Sequence, residues 1–123
     1  MSLKIKLKRL KENYVINQAQ RAKLPEFKSD EICRQRITFS GRVQNVGFRL
    51  EVVELAKRLG LTGYCDNLEN GDVIAEFQGA PDKIDFLVSF MEGLKRVKVT
   101  NKIVEELELV ENETDFTSER KRT

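Results

Sequence analysis

Between residues 41 and 49 the chain reads Gly41-Arg42-Val43-Gln44-Asn45-Val46-Gly47-Phe48-Arg49. Two glycines and an asparagine allow a tight turn, and Phe48, Val52, Leu55, Ala56 and Leu59 then recur at helical spacing. A loop that opens a helix can gather backbone N–H groups at the positive end of the helix dipole, where anions bind. Arg49 falls in the first helical turn, and its planar fork can give an oxyanion two parallel hydrogen bonds. Amides plus a guanidinium describe a phosphate site. The plainer use of Arg49 is a solvated arginine, or one paired with Glu51 or Glu54.

Other chemistries are removed by composition. The 123 residues contain no histidine, which excludes Ser-His-Asp and Cys-His catalysis, His-ligated zinc and an imidazole base. Cys33 and Cys65 are too few for a four-thiolate zinc site, and in an intracellular chain they are expected to be free, semi-buried thiols. No apolar run exceeds three residues, against the roughly 20 of a membrane-spanning helix. Met-Ser-Leu-Lys-Ile-Lys at the start lacks the apolar core of a secretory signal, so a cytoplasmic location is expected.

The elements that must position the loop follow from periodicity. Cys33, Gln35, Ile37 and Phe39 alternate with Arg34, Arg36, Thr38 and Ser40, the pattern of a strand with one apolar face. The helix after the loop stops at Gly60. Thr62 to Asn67 reads as a second strand, Asn70-Gly71 as a hairpin turn, and Val73, Ala75 and Phe77 as the inward face of a third. Pro81 opens a second helix whose stripe is Ile84, Leu87, Val88 and Met91, ending at Gly93. Val97, Val99, Asn101, Ile103, Glu105, Leu107 and Leu109 alternate imperfectly as a fourth strand. The order βαββαβ is the ferredoxin-like α+β sandwich, an antiparallel sheet with both helices on one face.

The loop Gly41-Arg-Val-Gln-Asn-Val-Gly-Phe-Arg49 resembles the acylphosphatase signature G-x-V-Q-G-V-x-F-R. Thr62-Gly63-Tyr64-Cys65-Asp66-Asn67-Leu68 is similar to that family's second block, G-x-V/T-G-W/Y-V-x-N, and Gly71 and Val73 match the segment after it. The resemblance spans roughly Arg36 to Leu109. It implies hydrolysis of the carboxyl–phosphate anhydride of small-molecule acyl phosphates. By resemblance, the amides of Gln44, Asn45, Val46, Gly47, Phe48 and Arg49 and the Arg49 guanidinium hold the phosphoryl group, while Asn67 orients the attacking water. It implies neither metal nor organic cofactor, and inorganic phosphate or sulfate as site occupants.

Each residue also has a plainer use. Asn67 can simply cap or turn the chain before the hairpin. Gln44 fits a structural role bonding loop backbone, Phe48 fits the core, and Tyr64 is expected half-buried. Asn45 stands where the family has glycine. At positive φ its Cβ would cost up to about 1–2 kcal/mol, so the alternative function is an anion-binding module with impaired turnover. Phe116 leads into residues too polar for a firm edge strand.

The net charge of +2 hides an asymmetry: residues 1–36 carry +6 and residues 37–123 carry −4. The expected division is therefore a basic extension over 1–30, partly ordered or disordered, and an acylphosphatase-like domain over 31–123. Within the extension Leu3, Ile5 and Leu7 alternate at strand period, while Leu3, Leu7, Leu10 and Tyr14 fit a helical face. A solvated tail, packing on the domain and contact with another chain all remain open, and its partner is unassigned. Nucleic acid is not an expected partner, because the domain is acidic and lacks the aromatic RNA-binding motifs. A stand-alone domain is expected, not the N-terminal part of a larger carbamoyl-transfer maturation protein.

Overall fold

The computed structural model describes residues 3–28 and 31–119. Among the described residues eight elements follow one another: α1 (Leu3–Arg21), β1 (Cys33–Arg42), α2 (Phe48–Arg58), β2 (Thr62–Asn67), β3 (Val73–Gly79), α3 (Pro81–Glu92), β4 (Lys98–Leu107) and β5 (Phe116–Thr117). From β1 to β4 this is the βαββαβ order of the ferredoxin-like sandwich. The sheet order is β4-β1-β3-β2-β5. The first four strands pair antiparallel, with Ile37 opposite Ala75 and Phe39 opposite Val73. The two-residue β5 adds one parallel pair beside β2, which makes the complete sheet mixed. Polar Thr117 and Ser118 keep it short, while Phe116 is buried and stacks on Phe77 at 5.5 Å.

One face of the sheet carries Ile37, Phe39, Val73, Ala75 and Phe77 into the core, where α2 and α3 cover them with Val52, Leu55, Ile84, Leu87 and Met91. Where β1 passes Ser40 and Gly41 the pairing with β4 slips by a bulge. The extra residue is Thr100 of β4, because consecutive Ser40 and Gly41 pair with Asn101 and Val99; beyond it Val104 falls opposite Ile37 and Ile103 opposite Thr38, and both stay about half-exposed. The single apolar face expected along β4 therefore does not form.

The other face holds an ionic ladder. Glu76 accepts from Arg34 at 3.0 Å, from Arg36 at 3.4 Å and from the Tyr64 hydroxyl at 2.7 Å. Burial works to raise its pKa, but the Tyr64 hydroxyl and the two guanidinium groups outweigh it and hold the Glu76 carboxyl below its ordinary value. Tyr64, expected half-buried, is buried by this arrangement.

The helical reading of the leader is the one the structure adopts, as the 19-residue α1. Its docked face is not the leucine stripe, however. Val15 and Ala19 are the buried residues, and α1 packs on α2. Small side chains let two helices approach closely, and the Arg58 guanidinium closes the end of α1 by donating to the Ala19 and Ala22 carbonyls at 2.6 and 2.9 Å. Farther on, Phe27 meets Phe86 of α3 edge-on at 5.9 Å. A helix of this composition owes its order to such tertiary anchors more than to propensity. Among the described residues no helix is long and apolar enough to cross a membrane.

Candidate active site

The loop between β1 and α2 turns through two left-handed residues, Asn45 at φ 62° and Gly47 at φ 76°. Positive-φ residues curl a backbone so that its N–H groups face inward, and Gly47 then caps α2, whose first amides have no partner within the helix. Asparagine is the non-glycine residue that best tolerates this conformation, so Asn45 keeps the turn its position demands. Gly47 has a further constraint: a Cβ there would lie 2.6 Å from a Val15 methyl of α1. Loop and leader helix are in contact at that point.

Gln44 fixes the loop from the opposite side. Its side-chain amide donates to the Leu68 carbonyl at 2.7 Å and to the Asp72 carbonyl at 2.8 Å. Those carbonyls belong to the β2–β3 turn, so one side chain sets the distance between the loop and Asn67 at the end of β2. The Phe48 ring is buried against Phe39 at 5.0 Å, which leaves its amide as the group it can present.

Arg49 is half-exposed and pairs with neither Glu51 nor Glu54; its Nη1 lies 3.4 Å from Asp66 Oδ1. The same oxygen accepts the Asn67 N–H at 2.8 Å. An exposed pair of this kind contributes only about 0–1 kcal/mol, so the guanidinium can exchange Asp66 for an oxyanion at little cost. Asp66 thus rests Arg49 beside Asn67. All the residues singled out in sequence, Gln44, Asn45, Val46, Gly47, Phe48, Arg49 and Asn67, line one cavity of about 760 Å³.

Sequence reasoning missed two groups beneath the loop. Arg96, from the α3–β4 connection, donates from Nε to the Val46 carbonyl at 2.7 Å and pairs with Glu51 of α2. The Glu51 carboxylate is wholly buried, and its Oε1 has no hydrogen-bond partner. A signal for it existed: Glu51 stands three residues after Phe48 and four before Leu55, inside the apolar stripe of α2. Arg96 also donates to the Gln18 side chain and lies 6.0 Å from the Tyr14 ring, so it ties loop and α1 together. Cys65 is buried, and burial pushes its thiol well above the ordinary range, which leaves it inert. Among the described residues no group of three His, Cys, Asp or Glu side chains stands ready to hold a metal.

The acylphosphatase family model matches residues 35–118. The chain belongs to the acylphosphatase family. It is 36% identical over 90 residues to an acylphosphatase of Trichormus variabilis, covering 73% of this chain and 89% of that one. An acylphosphatase of Picrophilus torridus is 40% identical over 60 residues, 49% of this chain and 74% of its own. The solved structure of an acylphosphatase from Coxiella burnetii superposes with a TM-score of 0.65 at 35% identity, covering 77% of this chain and all of its own. The family match begins at residue 35, so α1 lies outside it.

Proposed function

We propose that this chain hydrolyses acyl phosphates to a carboxylate and inorganic phosphate. The observation that carries the reading is the convergence of Arg49, Asn67 and the positive-φ loop on one cavity at the start of α2. The loop amides of residues 44–49 and the Arg49 guanidinium bind the phosphoryl oxygens, and Arg49 leaves Asp66 to do so. The Asn67 amide holds a water in line behind the phosphorus. The water oxygen bonds to phosphorus as the bond from phosphorus to the acyl oxygen breaks, and the electron pair leaves with the carboxylate. The water's proton passes to the phosphate product.

A carboxylate is a good leaving group, so little general acid help is needed, and histidine is not missed. Positioning and neutralisation of the phosphoryl charge carry the rate. The test is turnover of acetyl phosphate by the full chain and by Arg49→Ala. Hydrolysis by the native chain, with kcat/KM falling about 10³-fold or more in Arg49→Ala, is expected from the loss of a bidentate charged donor. Lysine at that position should restore little, because it offers a point charge without the fork. Near-normal turnover by the alanine variant would remove Arg49 from the site.

A further inference from the structure

The cavity around Arg49 and Asn67 is larger than phosphate chemistry requires. At about 760 Å³ it lies within the roughly 300–1,000 Å³ of sites that enclose whole small molecules, whereas acetyl phosphate would occupy only its loop end. Its remaining wall is supplied by α1, the segment outside the family match. Along that wall stand Leu7, Leu10 and Tyr14, spaced to fall on one helical face, and they are 50%, 65% and 61% exposed. These are the leucines that do not dock α1 to the domain; Val15 and Ala19 do that.

An apolar stripe left open along a helix needs an occupant. Here its position names one, because the stripe opens into the same cavity as the phosphate cradle. A ligand whose phosphoryl group sits in the loop projects its other end along α1. Lys8 and Lys11 also border this wall; both are exposed, Lys8 lies 4.0 Å from Glu12, and Glu12 stands on the same wall, so the charges there are of both signs. Arg96 is already engaged by Val46, Glu51 and Gln18.

We infer that α1 is a specificity element: Leu7, Leu10 and Tyr14 bind the acyl chain, and the chain selects acyl phosphates with an extended apolar acyl group over acetyl phosphate. This rests on the acyl phosphate reading above. The α1 anchors to the domain, Arg58, Gln18 and Val15, are separate from Leu7 and Leu10, so the wall stays in place when the two leucines are changed, whereas Tyr14 also lies against Arg96.

The experiment measures binding and turnover in parallel on the full chain. Methyl phosphate and hexyl phosphate, which lack the scissile anhydride, are titrated calorimetrically; acetyl and hexanoyl phosphate are compared by kcat/KM. Hexyl phosphate should bind about tenfold tighter than methyl phosphate or better, from partial burial of five added methylenes. In Leu7→Ser/Leu10→Ser that ratio should fall to within about threefold of unity, and Tyr14→Ser should lower it in part. The ratio of kcat/KM values should move with it. Equal affinity for the two phosphates in the native chain, or a preference that survives the double variant, overturns the inference while leaving the phosphate site standing. Failure of both phosphates to bind overturns the phosphate site, and this inference with it.

Discussion

One side of the cavity is made by the loop after β1 and by Asn67, the other by α1, and the two are held in different ways. The loop is bonded from three directions. Gln44 ties it to the β2–β3 turn, Arg96 takes the Val46 carbonyl from below, and α2 begins at Gly47. Every element behind it belongs to one continuous core. The leader helix rests on Val15, Ala19, the Arg58 clamp and the Gln18–Arg96 bond, with Leu7, Leu10 and Tyr14 open to the cavity. A phosphoryl group needs donors fixed to within a fraction of an ångström, and that is what the proposed function asks of the loop side. An acyl chain needs only apolar area, which a looser wall can give.

The rigid side breaks most sharply at its polar groups. Asn67→Ala should lower kcat for acetyl phosphate by about 10²–10³ while changing the affinity for inorganic phosphate little, since the role proposed for its amide is to hold the water. Steady-state kinetics beside phosphate calorimetry separates the two. A variant that loses phosphate affinity but keeps kcat would move Asn67 to the phosphate itself.

Arg96→Ala attacks the point where the two sides meet. It leaves the buried Glu51 carboxylate without its partner, and breaking such a pair costs about 3–5 kcal/mol when fully buried. Arg96 is partly exposed, so about 3 kcal/mol is expected by denaturant unfolding, together with a looser Val46 and a lower kcat. Glu51→Gln/Arg96→Ala should recover part of the stability, because it removes the orphaned charge. Equal stability of the single and double variants would show that the charge was never buried.

What could be read in the sequence and what could not follows the same division. β1, α2, β2, β3 and α3 each have one apolar face turned to the core, and their alternation or 3.6-residue spacing marks them within a residue or two. Gln44, Arg49 and Asn67 were legible because their loop and turn sit at element ends that glycine and asparagine mark. β4 falls out of phase because it carries an extra residue, Thr100, between the partners of Ser40 and Gly41, and nothing in its own alternation marks where that residue falls. The docking face of α1 was not legible, because the leucines mark its plainest apolar stripe while Val15 and Ala19 are the residues that dock. Its anchors, Arg58 and Arg96, stand 39 and 78 positions from the residues they hold. No local pattern reports a contact at that range.

Removing α1 sharpens the comparison further. A chain beginning at residue 31 keeps β1 to β5 and the whole matched segment, so it should still unfold cooperatively. The loss of Val15, Ala19 and Phe27 contacts should cost about 1–3 kcal/mol, seen as a lower midpoint in denaturant. Acetyl phosphate should still be hydrolysed within a few-fold of the full chain, and the advantage of hexyl over methyl phosphate should vanish. Loss of cooperative unfolding would instead make α1 part of the core.

The smallest effect belongs to Asn45, the loop position where the family pattern has glycine and this chain has asparagine. At φ 62° asparagine already occupies the left-handed region, where its cost relative to glycine is at most about 1–2 kcal/mol. Its side chain is exposed and it forms no ladder with the sheet. Asn45→Gly should therefore raise stability slightly or leave it unchanged, and shift kcat for acetyl phosphate by no more than a few-fold, upward if the Cβ crowds the approach of phosphate to the amides. A native chain without turnover that gains it in Asn45→Gly would mean that the cradle binds anions in a geometry too strained for reaction. Loss of activity on introducing glycine would place the Asn45 side chain itself on the substrate. The asparagine would then join Arg49 and Asn67 among the proposed working groups of the loop side.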